Sequence, residues 1–340
     1  MTDLSGPLAL QLRDLELPVA RREQDELIGR HRFCADSLPR CVQPRHRWCA
    51  VYVGAELYAG FVLDVERSRR LPWARLVRWE GLGRENFSFM ESQLPRILSA
   101  LGTIVPNVLR VNIGLREFLP ERRALLIAML KASGYVPVSP RDYVDTLLLP
   151  LDQHGEPEQG FSSSTRRNLR EARRAGLTVR RVIDAADLEQ IRAVVAEAFA
   201  RRDAGVVIPS PESLRADLDA THVALFAASL PGHDQIIACA RFRRVGDLGI
   251  YEIAGSRRDT TLGRLPVAPL LVREGIEWAR ATGCRWMDFG GVPTEVGTSL
   301  DGIAAFKAGF GGTRTTIGGE WSLRPSPRLS KLEDLVGRFR

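Results

Sequence analysis

Two neighbouring stretches near the end of this chain carry side chains whose type and spacing suit chemistry. Trp286-Met-Asp288-Phe-Gly290-Gly291 reads as a buried strand that stops at an acid and a glycine pair. Phe306-Lys307-Ala-Gly309-Phe310-Gly311-Gly312 reads as a short helix with one lysine in its last turn, closed by glycine. Together they set a lone cation beside flexible backbone at the mouth of a sheet, where α/β proteins bind ligands. Gly290 and Gly291 either present backbone N–H groups to a ligand or form a tight strand exit. Asp288 is either a general base or a structural acid at a strand end. Lys307 is either a functional ammonium or a lysine held by the helix dipole.

A third stretch is cationic. Residues 161–181 hold seven arginines and one glutamate, in a chain whose net charge is +7. A helix is expected over 162–176, with N-cap candidates in Ser162-Ser-Ser164-Thr165 and a stop at Gly176. At ~100° per residue, Arg166, Arg170 and Arg173 share a stripe, Arg167 and Arg174 lie beside it, and Leu169, Ala172 and Ala175 face the other way. Five arginines with one acid repel one another unless an anion sits nearby. Arginine also suits bidentate phosphate contact. The helix therefore reads as a binder of phosphates in a row, such as a nucleic-acid backbone or a diphosphate, against the alternative of a solvated surface.

The elements that must position these residues recur. Strands are expected at 48–53, 57–65 and 74–79, a helix around 87–101, a strand at 108–113, a helix at 121–131 and a strand near 144–149. The second half repeats this order with strands at 222–228, 235–243 and 248–254, a helix at 267–282, a strand at 285–289, a helix at 301–308 and a last strand near Trp321. Leu130-Lys131-Ala-Ser-Gly134-Tyr135 parallels Phe306-Lys307-Ala-Gly309-Phe310. A repeat of about 175 residues is too long for a solenoid and fits a duplicated domain. The expected domains are 1–150 and 151–340, with 152–160 as linker and an amphipathic docking helix at 328–340. The fold class is α/β (α+β), a mixed twisted sheet flanked by helices in each half, and its helix–Gly–aromatic–strand ending resembles the acyltransferase fold of the GNAT superfamily.

With both motifs in the second copy, a family comes into view. Ser164 to Val179 resembles the basic-helix motif of the Fem family, bacterial aminoacyl-tRNA-dependent peptidyltransferases that extend peptidoglycan-precursor side chains. Asp288-Phe-Gly290-Gly291 followed by Phe306-Lys307-Ala-Gly309-Phe310-Gly311 resembles its second signature, and tandem GNAT-like domains are its architecture. The coiled-coil arm of some members is absent. The resemblance implies transfer of an amino acid from tRNA to an amine of a peptide, a peptidoglycan precursor or a natural product. It places Lys307 near the phosphates of the tRNA acceptor end, where an ammonium holds a terminal phosphate or offsets an oxyanion. Catalytic candidates are Lys307 and Asp288. Substrate-binding candidates are Arg166, Arg167, Arg170, Arg173, Arg174, Gly290, Gly291, Phe306 and Arg257.

Two other functions compete. A GNAT-type acyl-CoA donor needs a phosphate-cradling loop. Gly255-Ser-Arg257-Arg258 to Pro266 has the arginines without the spacing, whereas Arg78-Trp-Glu-Gly81-Leu-Gly83 has the spacing. A non-catalytic RNA-binding module is the third reading. No nucleophile elbow, H-E-x-x-H or Walker loop supports hydrolase, zincin or NTPase chemistry. Apart from aminoacyl-tRNA or acyl-CoA as co-substrate, no cofactor is expected. The five cysteines lack metal-ligand spacing and read as reduced thiols, so no metal is expected. With 44% hydrophobic residues the 340-residue chain has ample core material, and no apolar run approaches a membrane span. No basic-then-apolar leader is visible, so a cytoplasmic protein is expected.

Overall fold

The computed structural model describes residues 6–15, 17–29, 45–82, 91–141, 143–151, 156–201, 208–230, 232, 235–257, 265–293 and 301–338. The first elements are β1 (Leu8–Asp14), α1 (Pro18–Gly29), β2 (His46–Val53), β3 (Glu56–Arg67), β4 (Arg75–Leu82), α2 (Leu94–Ala100), β5 (Val108–Leu115), α3 (Pro120–Ala132) and β6 (Val136–Val138). Next come β7 (Asp145–Pro150), α4 (Ser163–Arg174), β8 (Thr178–Arg181), α5 (Leu188–Ala200), α6 (Pro211–Asp219), β9 (Val223–Ser229), β10 (Ala238–Val245) and β11 (Leu248–Ser256). The chain closes with α7 (Val267–Ala281), β12 (Trp286–Gly291), α8 (Asp301–Ala308), β13 (Thr313–Thr316), β14 (Glu320–Leu323) and α9 (Pro327–Arg338). The repeated strand–helix order of the sequence is therefore present. The first part of the helix expected at 87–101 lies outside the described residues; its described part is α2.

The strands form two seven-stranded sheets, ordered β1-β2-β3-β4-β5-β14-β6 and β13-β7-β12-β11-β10-β9-β8. Each has one parallel pair, β4 with β5 and β11 with β12, beside antiparallel neighbours. One strand next to an edge of each sheet comes from the other half of the chain: β7 pairs with β12, and β14 pairs with β5. The chain accordingly divides into two compact units, 1–144 with 316–340, and 145–315. This differs from the expected boundary at 150. The strand near 144–149 does not close the first sheet, and the segment after 316 folds with the first unit. Local alternation identifies a strand but carries no signal for which distant partner completes its ladder.

In the first unit, α2 and α3 cover one sheet face with Leu94, Ile97, Leu98, Leu126 and Leu130, over a Phe61–Trp79 stack with centroids 4.1 Å apart. In the second unit, α4 and α7 cover one face and α5 and α6 the other. Helix α7 lies close to the sheet because Gly275 has no side chain: a Cβ there would fall 2.2 Å from the Phe242 ring. That close approach draws the helix after β11 down onto the strands that frame the candidate site.

The strand exchange sets a test of the unit boundaries. Fragments 1–150 and 151–340, made separately, each leave a parallel strand without its antiparallel neighbour and expose an unpaired edge. Each is expected to aggregate or lack a cooperative melt, and co-expression is expected to restore one; a cooperatively folded 1–150 fragment would contradict the exchange.

Candidate active site

The site is built where the second sheet opens. β11 and β12 pair in parallel through Leu248↔Trp286, Gly249↔Met287 and Ile250↔Asp288. β11 then runs on to Ser256, while β12 ends at Gly291. The two strands lose their ladder after Asp288, and a gap begins there. On the far side of β12, pairing with β7 is irregular between Asp288 and Gly291. Gly290 causes the kink with φ of 74°, a conformation that side-chain-bearing residues rarely take.

Asp288 holds this kink. Its carboxylate accepts the Gly290 N–H at 2.7 Å and the hydroxyl of Thr146 on β7. Asp288 is 3% exposed and Thr146 is fully buried. Two donors already occupy Oδ1, so the observed role of Asp288 is to fix backbone geometry. Thr146 had no signal in the sequence, because it reaches the site only through the strand exchange.

Lys307 lies on the wall of the gap. It is 9% exposed and donates to the Gly291 carbonyl at 2.7 Å. Its Nζ is 3.7 Å from where a Gly290 Cβ would be, an ordinary contact distance, so what favours glycine at 290 is the positive φ rather than space beside the ammonium. Burial pushes the Lys307 amine down to about 8, against the opposing pull of the Asp288 charge. Its counterpart Lys131 is exposed on α3. The counterpart strand pair stays paired over a longer span, with β4 and β5 joined from Arg75↔Val108 to Leu82↔Leu115 across register shifts at Arg75/Leu76 and Glu80/Leu82. Helix, lysine and glycine are thus shared architecture, while the open strands and the buried ammonium belong to the second unit.

The arginine helix meets this site at its N-terminus. Ser162 caps α4 by accepting the Thr165 N–H, and its own N–H donates to the Gly309 carbonyl just past α8. Gly309 permits the contact, since a Cβ there would fall 2.4 Å from the Thr165 hydroxyl. Phe310 then packs on Phe161, Phe289 and the half-buried Phe306, with ring centroids 5.1–5.7 Å apart. Phe306 is therefore a wall of this aromatic cluster, and both sequence motifs converge on it.

The arginines divide by use. Arg166 donates to the carbonyls of Phe161 and Gln159, and Arg173 pairs with Glu158, which also accepts Arg273 of α7 at 3.0 Å. The Arg173 hydrogen bond leads in holding the Glu158 carboxyl below its usual range. These two arginines tie α4 down. Arg167, Arg170 and Arg174 are exposed and have no acidic partner among the described residues. They lie on one face at i, i+3 and i+7. Arg257 sits at the end of β11 and is 3.7 Å from Glu197.

Of the two candidate phosphate loops, residues 258–264 and Gly83 lie outside the described residues. Arg78 to Leu82 is strand β4, hydrogen-bonded to β5 rather than looped at a helix N-terminus. A feature the sequence did not mark is a bulge in β11. Arg241 pairs with Ile253 and Phe242 with Tyr251, so Glu252 is the extra residue. The bulge sits where β11 leaves β12, and Arg243 holds the Glu252 carboxylate at 2.7 Å. The Tyr251 carbonyl faces Gly290, 3.6 Å from its Cβ position. Cys49, Cys239 and Cys284 are buried free thiols, and burial pushes Cys239 up to about 12; Cys34 and Cys41 lie outside the described residues.

The burial of Lys307 has a measurable cost. Its amine titrates lower folded than unfolded, so below about 8 the folded state carries a desolvation penalty, relieved as pH rises from there toward the ordinary lysine value of 10.5. Lys307→Met is expected to raise stability at pH 7 by on the order of 1 kcal/mol in urea melts, with the gain shrinking by pH 10. A pH-independent loss of stability would remove the penalty from the account.

Comparison with known proteins agrees with this architecture. Residues 160–307 match the family described as Acetyltransferase (GNAT) domain. No curated protein matches the sequence. A structure of FemX superposes with a TM-score of 0.71 at 15% identity, covering 93% of this chain and 99% of that one. L-PGS from Bacillus licheniformis gives 0.59 at 13% identity, covering 96% and 99%. A tandem GNAT protein from the clavulanic acid biosynthesis pathway gives 0.53 at 12% identity, covering 94% and 99%. At these identities the likeness is one of fold: the chain has a Fem-like tandem GNAT fold, with its open strand pair and buried lysine in the second unit.

Proposed function

We propose that the chain is an acyltransferase that moves an aminoacyl group from aminoacyl-tRNA to an amine of a peptide, a peptidoglycan precursor or a natural product. The observation that carries this reading is the gap between β11 and β12 with the buried Lys307 on its wall. In the reaction the acceptor nitrogen attacks the ester carbonyl, the C–N bond forms and the C–O bond to the ribose breaks. The ribose oxygen leaves with a proton, and the attacking amine loses one. A protonated Lys307 offsets charge on the carbonyl oxygen as the tetrahedral intermediate forms. Its amine, lowered to about 8, is still mostly protonated at neutral pH and is discharged above it. Arg167, Arg170 and Arg174 offer a row of uncommitted cations to the phosphates of the donor. Among the described residues, no helix is long and apolar enough to cross a membrane.

An acyl-CoA donor is the second reading, favoured by the match of residues 160–307 to an acetyltransferase domain. The deciding experiment incubates the protein with mixed radiolabelled aminoacyl-tRNAs and candidate amines, in parallel with acetyl-CoA and the same amines. Label passing from tRNA into an amide supports the proposal. Consumption of acetyl-CoA with no release from tRNA supports the second reading, and tRNA binding without any transfer leaves only an RNA-binding module.

Two variant series sharpen this. Lys307→Ala is expected to lower kcat by ~10²–10³-fold, while Lys131→Ala stays within about twofold because its side chain is in solvent. Activity lost in both or in neither would undo the assignment of the site to the second unit. Replacing Arg167, Arg170 and Arg174 together by Gln is expected to reduce the slope of log K against log salt for tRNA binding by roughly 2–3. The same change at Arg166 and Arg173 is expected to reduce stability instead, through loss of the Phe161 and Glu158 contacts.

A further inference from the structure

Helix α3 is apolar on two sides. Leu126 and Leu130 are fully buried against the first sheet, with Ile127 and Met129 packed beside them. The outward stripe is Glu121, Ala124, Leu125, Ala128, Lys131 and Ala132, and every one of these is exposed. Between its two charged ends this stripe is entirely apolar, whereas the outward face of a solvated helix is polar. Leu125 at its middle is 41% exposed. The apolar surface continues past both ends of the helix. Leu119, just before it, is 45% exposed, and Val136 and Val138 on β6, just after it, are 57% and 39% exposed. Four large apolar side chains are thus left in solvent within residues 119–138, a concentration that marks a contact surface.

The spacing of the stripe is that of a helix–helix seam. Glu121, Ala124, Ala128 and Lys131 follow one another by three, four and three residues, with Leu125 and Ala132 alongside. The charges say which helix completes it. Neighbouring arginines are committed: Arg122 lies 3.3 Å from Glu117, and Arg123 donates to the carbonyls of Glu117 and Phe118. Glu121 and Lys131 have no partner among the described residues. They stand ~15 Å apart along the helix, symmetric about residue 126, and so do Ala124 and Ala128. A second α3 laid antiparallel, with a twofold axis at residue 126, sets Glu121 of each copy against Lys131 of the other, and Ala124 against Ala128. A parallel α3 would set like charges together. Position 119 mirrors 133, so Leu119 of each copy arrives at the far end of the other helix, next to its exposed Val136.

We propose that the chain forms a homodimer through this face, with two copies of α3 packed antiparallel about a twofold axis at residue 126. Leu125 and the alanines form the apolar centre of the contact and let the helices approach closely. The two Glu121–Lys131 pairs at its ends fix the direction. The helix lysine of the first unit thereby has a use of its own, unlike that of Lys307. This interface belongs to the first unit and does not depend on the transfer reaction assigned to the second.

The test measures the mass of the full-length protein by sedimentation equilibrium from about 1 to about 100 μM, and needs no donor and no turnover. A dimer is expected in the upper part of this range. Leu125→Glu is expected to be monomeric throughout while keeping its circular dichroism and a cooperative melt, because position 125 is in solvent in the single chain. Glu121→Lys and Lys131→Glu are each expected to weaken the dimer about tenfold or more, since each change removes both pairs and brings like charges together. The two changes combined are expected to recover most of the lost affinity, because the pairs re-form with their signs reversed. A monomer at the highest concentration, a dimer that survives Leu125→Glu, or a double variant no tighter than the single ones would overturn the proposal.

Discussion

The kink that Asp288 imposes on β12 is the constraint on which the site depends. One buried carboxylate takes the N–H of Gly290 and the hydroxyl of Thr146, and so stops the strand from continuing its ladder. With the kink in place, β11 and β12 part after three pairs, and the Gly291 carbonyl turns toward Lys307. The same carboxylate is the negative charge that partly offsets the burial of the ammonium. Geometry and electrostatics therefore have a common origin. A buried acid that is satisfied by hydrogen bonds is tolerable, and here its satisfaction also shapes the backbone.

Thr146 can serve this role only because the two halves of the chain trade strands. β7 comes from the end of the first repeat and lies against β12; β14 comes from the end of the second and lies against β5. The exchange gives both sheets the same order of strand directions from β1 to β14 and from β8 to β7. Within that shared plan the two units have diverged. The first has a parallel pair joined over a longer span and a solvated Lys131; the second has an open pair and a buried Lys307. The duplication thus supplies an internal control for what is architecture and what is site.

The arginine helix shows a similar division on a smaller scale. Glu158 and the carbonyls of Gln159 and Phe161 take up two arginines and fasten α4, and three others remain on a single face. A count of charges in the sequence does not separate these roles. Each surface ion pair is worth little by itself, but Glu158 joins α4 to α7 through Arg173 and Arg273, so here the pair sets the direction in which the free guanidinium groups point.

Much of this was legible in the residues. Helical spacing marked α4, the lysine and glycine marked the end of α8, and the likeness of Leu130–Tyr135 to Phe306–Phe310 marked the duplication. These are local patterns, set by propensity, capping and period. The tertiary structure alone decided that β7 and β14 change sheets, that Asp288 is occupied by Thr146, that Glu252 forms a bulge and that Lys307 is buried while Lys131 is not. The reason is separation along the chain. Thr146 and Asp288 are 142 residues apart, and Arg78 and Glu320 are 242 apart. Such contacts follow from which strand completes which ladder, a choice that no single stretch of sequence contains.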